Sequence, residues 1–260
     1  MVLELCNVSV SYGKNLCVRD VSHRFSDGRF TALVGPNGCG KSTLLRALMG
    51  LLPMQQGEAR LDQRPVSTIG RRSLARRVAY LPQDNHCPDY MTLGELIELS
   101  SFSRSRLMRG PSASDRQIFR DALETVGLLD MAHRPLNTLS GGQRQRAWIA
   151  MVLAQDADLI LMDEPVNHLD IAYQYSVLNL VARLTRQKGK TVICVLHDLN
   201  LTASFADEVV LMRDGGIEAA GPVRETITVG NVTKTFGMEA EIFDRNGRLV
   251  CLPYPTELTA

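Results

Sequence analysis

Hydrophobic positions along this chain follow two rhythms. Short, nearly unbroken apolar runs at 30–34, 78–81, 159–162 and 191–196 predict strands covered on both faces. Leu3–Val10 alternates in part and predicts a strand with one wet face. Val18–Phe25 predicts a second, with a turn at Tyr12–Asn15 between them. The turn Ser26–Arg29 feeds the run at Phe30–Val34. Gln56–Glu58 and Asp62–Arg64 mark a further hairpin. Leucines at helical spacing over Ser42–Met49 predict a helix that Leu51–Pro53 stops. Asp170 is placed to cap another helix over 171–187. From residue 92 to 130 the pattern turns helical, with capping boxes expected at Thr92/Glu95 and Ser114/Gln117; a third is expected at Ser140/Gln143. Residues 207–252 read as a small β-rich finish with turns at Asp214–Gly216 and Arg245–Gly247, followed by a frayed tail at 253–260. The expected fold is α/β: a core of mixed or parallel sheet over 1–83 and 136–260 with an N-terminal antiparallel part, and a helical insert at 84–135.

With 260 residues, 45% of them hydrophobic, the chain can bury a sizeable core. Lys and Arg number 29 against 28 Asp and Glu, so overall charge gives no reason to expect nucleic acid as a partner. The six cysteines include no C-x-x-C pair, which reads as reduced thiols in a cytosol and not as a zinc site or disulfide framework. The N-terminus lacks the basic and apolar regions of a secretory signal, and no stretch approaches 18 uninterrupted apolar residues. Any membrane association is therefore expected to run through a partner. Arg104, Arg106 and Arg109 read as a solvated face, with a partner-docking surface as the sharper alternative.

The chemistry concentrates at Gly35-Pro36-Asn37-Gly38-Cys39-Gly40-Lys41-Ser42-Thr43, which fits G-x-x-x-x-G-K-[ST] between a strand and a helix. Glycines let backbone N–H groups turn inward around a polyphosphate, and the helix start adds positive potential. Lys41 is expected to reach the β- and γ-phosphates, and the Ser42 hydroxyl to ligate Mg²⁺. At 159–162 a buried strand delivers Asp163 and Glu164 at its C-terminal end, where α/β sheets bind ligands. Asp163 suits the metal; Glu164 suits positioning water as base. His197 ends the run at 191–196 and is expected to contact the γ-phosphate. Gly141 and Gly142 are costly in a helix by about 1 kcal/mol each relative to Ala, so the start at Ser140 reads either as bare backbone for an anion or as a loose helix end. Tyr12 is suited equally to stacking on a purine base and to standing as a partly exposed turn residue.

In one order the chain presents GPNGCGKST, Gln83, LSGGQ, LILMDEP and His197. Together these closely resemble the ATPase subunit of an ABC transporter, over residues 3–252. The resemblance implies a phosphate-loop ATPase core with ATP and Mg²⁺ as ligands. It implies that Tyr12 stacks on adenine, that Gly35 to Thr43 hold the phosphates, and that Gln83 senses Mg²⁺ and connects the site to the helical subdomain. Ser140, Gly141, Gly142 and Gln143 match the signature that contacts the γ-phosphate of nucleotide on the other subunit. Asp163 and Glu164 match metal ligand and catalytic base, Asp170 ends a loop that crosses the dimer interface, and His197 matches the switch histidine. Two anion-binding helix starts, at Lys41 and Ser140, independently suit a head-to-tail homodimer that sandwiches ATP.

The short single cassette and the runs Leu169–Ile171 and His197–Asn200 look most like importers of iron–siderophore, haem or cobalamin, and the ending at Phe236–Phe243 and Leu249–Pro253 resembles the siderophore group. The implied function is the energy-coupling ATPase of a siderophore importer, with a haem or cobalamin importer or an exporter as alternatives. Implied partners are an integral-membrane permease and, through it, a solute-binding protein; the implied place is peripheral, on the cytoplasmic face of the inner membrane. Cassettes acting on ribosomes or DNA differ in kind: the former carry two phosphate loops in one chain, and the latter carry long insertions that Gln83 to Leu139 leaves no room for.

Overall fold

The computed structural model describes residues 1–13, 15–88, 90–104, 110–167 and 169–254. In chain order the elements are β1 (Leu3–Tyr12), β2 (Asn15–Phe25), β3 (Phe30–Val34), α1 (Lys41–Leu48), β4 (Gln56–Leu61), β5 (Arg64–Pro65), α2 (Arg71–Arg77), β6 (Val78–Leu81), α3 (Leu93–Leu99), α4 (Ala113–Thr125) and α5 (Gly141–Ala154). Then come β7 (Leu159–Met162), α6 (Ile171–Lys188), β8 (Thr191–Val195), α7 (Leu199–Phe205), β9 (Glu208–Arg213), β10 (Gly216–Pro222), α8 (Val223–Thr226), α9 (Val229–Phe236), β11 (Ala240–Arg245) and β12 (Arg248–Pro253). They fall into two compact units, Met1–Thr68 with Thr191–Ala260, and Ile69–Lys190. Among the described residues no helix is long and apolar enough to cross a membrane.

In the first unit, β2, β1, β4 and β5 form an antiparallel sheet in that order. The incomplete alternation of β1 has a local cause. Asn7 and Asp20 are both left-handed, at φ 49° and 46°, where the β1–β2 register shifts, and Asn7 Nδ2 donates to Asp20 Oδ1 at 2.9 Å. The turn from β4 to β5 is made by Asp62 and Gln63, both at positive φ, the geometry that matches strand twist in a two-residue hairpin. A second group of strands in this unit has β3 parallel to β8 on one side and to β9 on the other, with β10 antiparallel to β9. All of β3 and β8 is buried, as their unbroken apolar sequence requires. Leu44, Leu45 and Leu48 of α1 are buried too; full burial of such a side chain is worth about 1.5–3 kcal/mol.

The expected β-rich finish is corrected in part. The hairpin of β11 and β12 is present, with its turn at Asn246 and Gly247, but α8 and α9 precede it. Helix α9 carries its own start and stop: the Thr228 hydroxyl accepts from Asn231 N, and Gly237 ends it at φ 68°.

In the second unit, β6 and β7 run parallel, and buried faces of α3, α5 and α6 supply Leu96, Ile97, Ile149, Val152, Leu178 and Val181. The boxes at Thr92/Glu95 and Ser140/Gln143 form as expected. The box expected at Ser114/Gln117 lies two residues earlier, at Ser112/Asp115. There the Ser112 hydroxyl accepts from Asp115 N, and Asp115 Oδ2 accepts from Ser112 N at 3.0 Å. Helix α6 begins at Asp170 as expected and ends at Gly189 in the left-handed region.

Arg104 does not belong to a solvated face. It donates to the carbonyls of Ala154, at 2.8 Å, and Gln155, where α5 ends and its last carbonyls lack helical partners. It also pairs with Asp115 at 3.2 Å. Arg106 and Arg109 lie outside the described residues, as does His168.

Candidate functional site

The loop that follows β3 is shaped by what its glycines lack. A Cβ on Gly35 would lie 2.1 Å from the Met212 carbonyl oxygen; one on Gly40 would lie 2.4 Å from the Cys17 carbonyl oxygen, and Gly40 stands at φ 103°. The backbone of β2 and β9 therefore approaches the loop as closely as hydrogen atoms allow. Gly38, at φ 78°, faces open space. Gly40 is also the N-cap of α1 and brings no side chain to the first amides, whereas α3, α4, α5, α6 and α7 each have a side-chain cap. Helix α1, like α2 and α8, thus starts without a side-chain cap, and an uncapped start that follows a glycine loop is the arrangement that suits an anion.

Lys41 is buried, and its Nζ donates to the carbonyls of Gly35 at 2.7 Å and Pro36 at 2.9 Å, with Cys39 Sγ at 3.7 Å. Its charge is thereby held over the loop. The Cys39 thiol is buried, and that burial pushes its pKa up; the neighbouring Lys41 opposes the shift. Pro36 and Asn37 form the more open side of the loop, and Ser42 and Thr43 are half-buried in the first turn of α1. Tyr12 closes β1 at 47% exposure, and its hydroxyl accepts from Arg46 of α1 at 3.3 Å. His197 is exposed just past β8. The β3–β8 register pairs Leu33 with Val195, so Gly35 and His197 leave the sheet on one edge. Asp198 then caps α7, accepting from Asn200 N and Leu201 N.

In the second unit the β6–β7 register pairs Leu81 with Met162, which sets Gln83 against Glu164 two residues on. Gln83 Nε2 donates to Glu164 Oε2 at 2.7 Å, and Asn167 Nδ2 donates to the same oxygen. Glu164 is left-handed, at φ 53°, a conformation that costs a non-glycine residue about 1–2 kcal/mol. Strain of this kind persists only where surrounding bonds hold it. Asp163, wholly buried, donates its backbone N–H to the Leu81 carbonyl at 2.8 Å. Asn167 was not anticipated; its place three residues after Glu164, in a turn begun by Pro165, is the signal that could have found it.

Helix α5 opens at Ser140, whose hydroxyl accepts from Gln143 N while Gln143 Oε1 accepts from Ser140 N at 2.9 Å. A Cβ on Gly141 would enter open space among the described residues. The helix is not a loose end: Gln145 Nε2 donates to the Pro165 carbonyl at 2.7 Å and Arg146 Nη1 to the Val126 carbonyl at 2.9 Å. Asp170 Oδ1 accepts from Tyr173 N at 3.0 Å.

Among the described residues no three His, Cys, Asp or Glu side chains gather to hold a metal. Ser42 in the first unit and Asp163 in the second each offer a hard oxygen donor, the kind Mg²⁺ prefers.

A glycine loop that leaves helix amides bare has one common use, the seating of a nucleotide's phosphates. With acids at a strand end, it defines a phosphate-loop nucleotide hydrolase. The ABC transporter family model matches residues 18–167. The chain is 37% identical to the petrobactin import ATP-binding protein FpuD of Bacillus anthracis over 97% of its own length and 93% of that protein's. It is 38% identical to the ferric enterobactin transport ATP-binding protein FepC of Escherichia coli K12, over 91% and 88%. Its fold superposes on an inward-facing metal-chelate type ABC transporter with a TM-score of 0.85 at 26% identity, covering 99% and 98% of the two chains. The chain belongs to the ABC transporter family, as an ATP-hydrolysing subunit.

Proposed function

We propose that this chain drives an importer of iron–siderophore complexes by binding and hydrolysing ATP. The observation that carries the nucleotide half is the start of α1 at Gly40, which has no side-chain cap, in a glycine loop that β9 and β2 hold by close backbone approach to Gly35 and Gly40. On this reading Tyr12 stacks on adenine, residues 35–43 hold the phosphates, and His197 contacts the γ-phosphate. Mg²⁺, when bound, neutralises phosphate charge, with Ser42, Asp163 and Gln83 as its protein contacts. Glu164 accepts the proton of the attacking water, with Gln83 and Asn167 both donating to its Oε2 and so setting the orientation of the carboxylate. Ser140, Gly141, Gly142 and Gln143 complete the site of a second copy, and the loop ending at Asp170 crosses between copies.

The pair closes on ATP and opens after hydrolysis, which transmits motion to a permease fed by a solute-binding protein. Residues 84–135 form the helical subdomain that moves with the signature, and the whole sits peripherally on the cytoplasmic face of the inner membrane. The cargo assignment is supported by the petrobactin and ferric enterobactin relatives.

The test is gentle detergent extraction of the tagged chain from iron-limited native cells, followed by uptake of radioactive iron supplied as siderophore or as haem. A polytopic permease in the complex and loss of siderophore-iron uptake on deletion are expected. Loss of haem uptake alone would replace the cargo; an exporter or ribosomes in the complex would overturn the importer.

A further inference from the structure

The ring of Tyr173 lies against the start of α5. A Cβ on Gly142 would stand 3.5 Å from its Cγ and Cδ2, ordinary contact, so the ring covers the side of Gly142 on which a side chain would project. The guanidinium of Arg146, one turn along α5, is 5.5 Å from the ring centroid. The ring is itself anchored, because Asp170 caps the amide of Tyr173. Among the described residues the Tyr173 hydroxyl makes no hydrogen bond, so the contact is one of ring face and not of the polar end. Gln145 fastens the same helix start to the Pro165 carbonyl from another side. A tyrosine 38% exposed gains little from burial, and its ring instead flanks Gly142 and carries the Arg146 guanidinium.

We propose that Tyr173 is a positioning residue for the signature: its ring is the stop that fixes the angle at which the amides of Gly141 and Gly142 are presented. This rests on the reading that those amides engage ATP held by a second copy. A helix start with two glycines is soft, since glycine loses more backbone freedom on ordering than any other residue. A ring that flanks Gly142 and carries Arg146 one turn along limits that freedom before nucleotide arrives. Because Tyr173 follows the acid-bearing loop by only a few residues, the brace also ties the set of the signature to the loop that begins at Glu164.

The experiment compares the full-length chain with Tyr173→Phe, Tyr173→Leu, Tyr173→Ala and Ser140→Ala. Three quantities are measured: ATPase rate against ATP concentration, affinity of the dilute chain for a fluorescent ATP analogue, and the melting temperature. The Phe variant keeps the ring and should match the wild type. The Leu and Ala variants should need about fivefold more ATP for half-maximal rate, the scale of a lost ring contact, with analogue affinity and melting temperature unchanged. Ser140→Ala should be impaired as well. If Ser140→Ala is impaired while Tyr173→Ala and Tyr173→Leu behave as wild type, the positioning role is wrong and the signature reading stands. If Phe is as poor as Ala, the hydroxyl and not the ring matters, and the proposal fails. If Ser140→Ala has no effect either, the signature reading fails with it.

Discussion

Replacing Gly40 by alanine tests the loop in its most constrained place. The new Cβ meets two obstacles. It must be carried at φ 103°, outside the regions open to L side chains, and it lands 2.4 Å from the Cys17 carbonyl oxygen, with Val18 Cγ2 at 3.3 Å. The first obstacle costs about 1–2 kcal/mol. The second is backbone of a paired strand and cannot swing aside as a side chain would. Relieving nearly an ångström of overlap by bending angles and shifting the loop adds about 2 kcal/mol. The sum, about 3–4 kcal/mol, corresponds to a hundredfold or more in an equilibrium constant. Gly38→Ala is the matched control, since Gly38 is also at positive φ but its Cβ enters open space, so it carries the strain alone. Urea unfolding of the nucleotide-free chain reads the cost where the loop keeps its shape. Titration with a fluorescent ATP analogue reads it where the loop relaxes and loses the amide cradle. Gly40→Ala should exceed Gly38→Ala by about 2 kcal/mol over the two readings combined. Equal costs for the two variants would show that β2 does not confine the loop, and the close-approach argument would fall.

Glu164→Gln should leave ATP binding within about threefold of wild type and cut turnover at least a hundredfold, because an amide cannot take the proton of water; single-turnover hydrolysis at the wild-type rate would remove Glu164 from the base position. His197→Ala should likewise bind ATP and fail to hydrolyse it, which equilibrium binding beside a phosphate-release assay separates. Cys39 should react with a maleimide far more slowly than free cysteine, because the thiol is buried and its pKa raised, and ATP should slow it further; mass spectrometry of the labelled peptide checks this, and rapid labelling unaffected by nucleotide would contradict it. Asp115 titrates below its usual range because the Ser112 hydroxyl and amide, then Arg104, favour its charged form. Its stabilisation is therefore full above the unfolded-state value near 3.9 and fades as pH falls through the lower folded value. Asp115→Asn should weaken the chain more at pH 7 than at pH 3 in urea unfolding, and an equal deficit at both would refute the assignment.

The sequence alone settled whatever depends on neighbours within a few residues. Strand type at β3, β7 and β8 follows from apolar runs, the ends of α3, α5 and α6 from caps three residues apart, and the hairpin turns from Asp, Asn and Gly in pairs. The phosphate loop, the acids at 163 and 164 and His197 were legible because strand, loop and helix stand next to one another in the chain. The capping box of α4 slipped by two residues because serines at 112 and 114 compete for one helix start, and only the reach of Asp115 decides between them. α8 and α9 were missed because helices this short show barely one or two turns of period.

Other features needed the fold itself. Gln83 comes to Glu164 across 81 positions of sequence through the parallel register of β6 and β7, which no local pattern encodes. Arg104 looks like any surface arginine until the bare carbonyls ending α5 appear beside it. Gly35 and Gly40 read as turn residues, yet the carbonyls that forbid a Cβ come from Met212 and Cys17, on strands β9 and β2. The left-handed backbone of Glu164 and the ring under Gly142 belong with these. The division is physical: caps and periods act through the covalent chain over a turn or two, whereas strain, close approach and carboxylate orientation depend on which distant strand or helix the fold brings alongside.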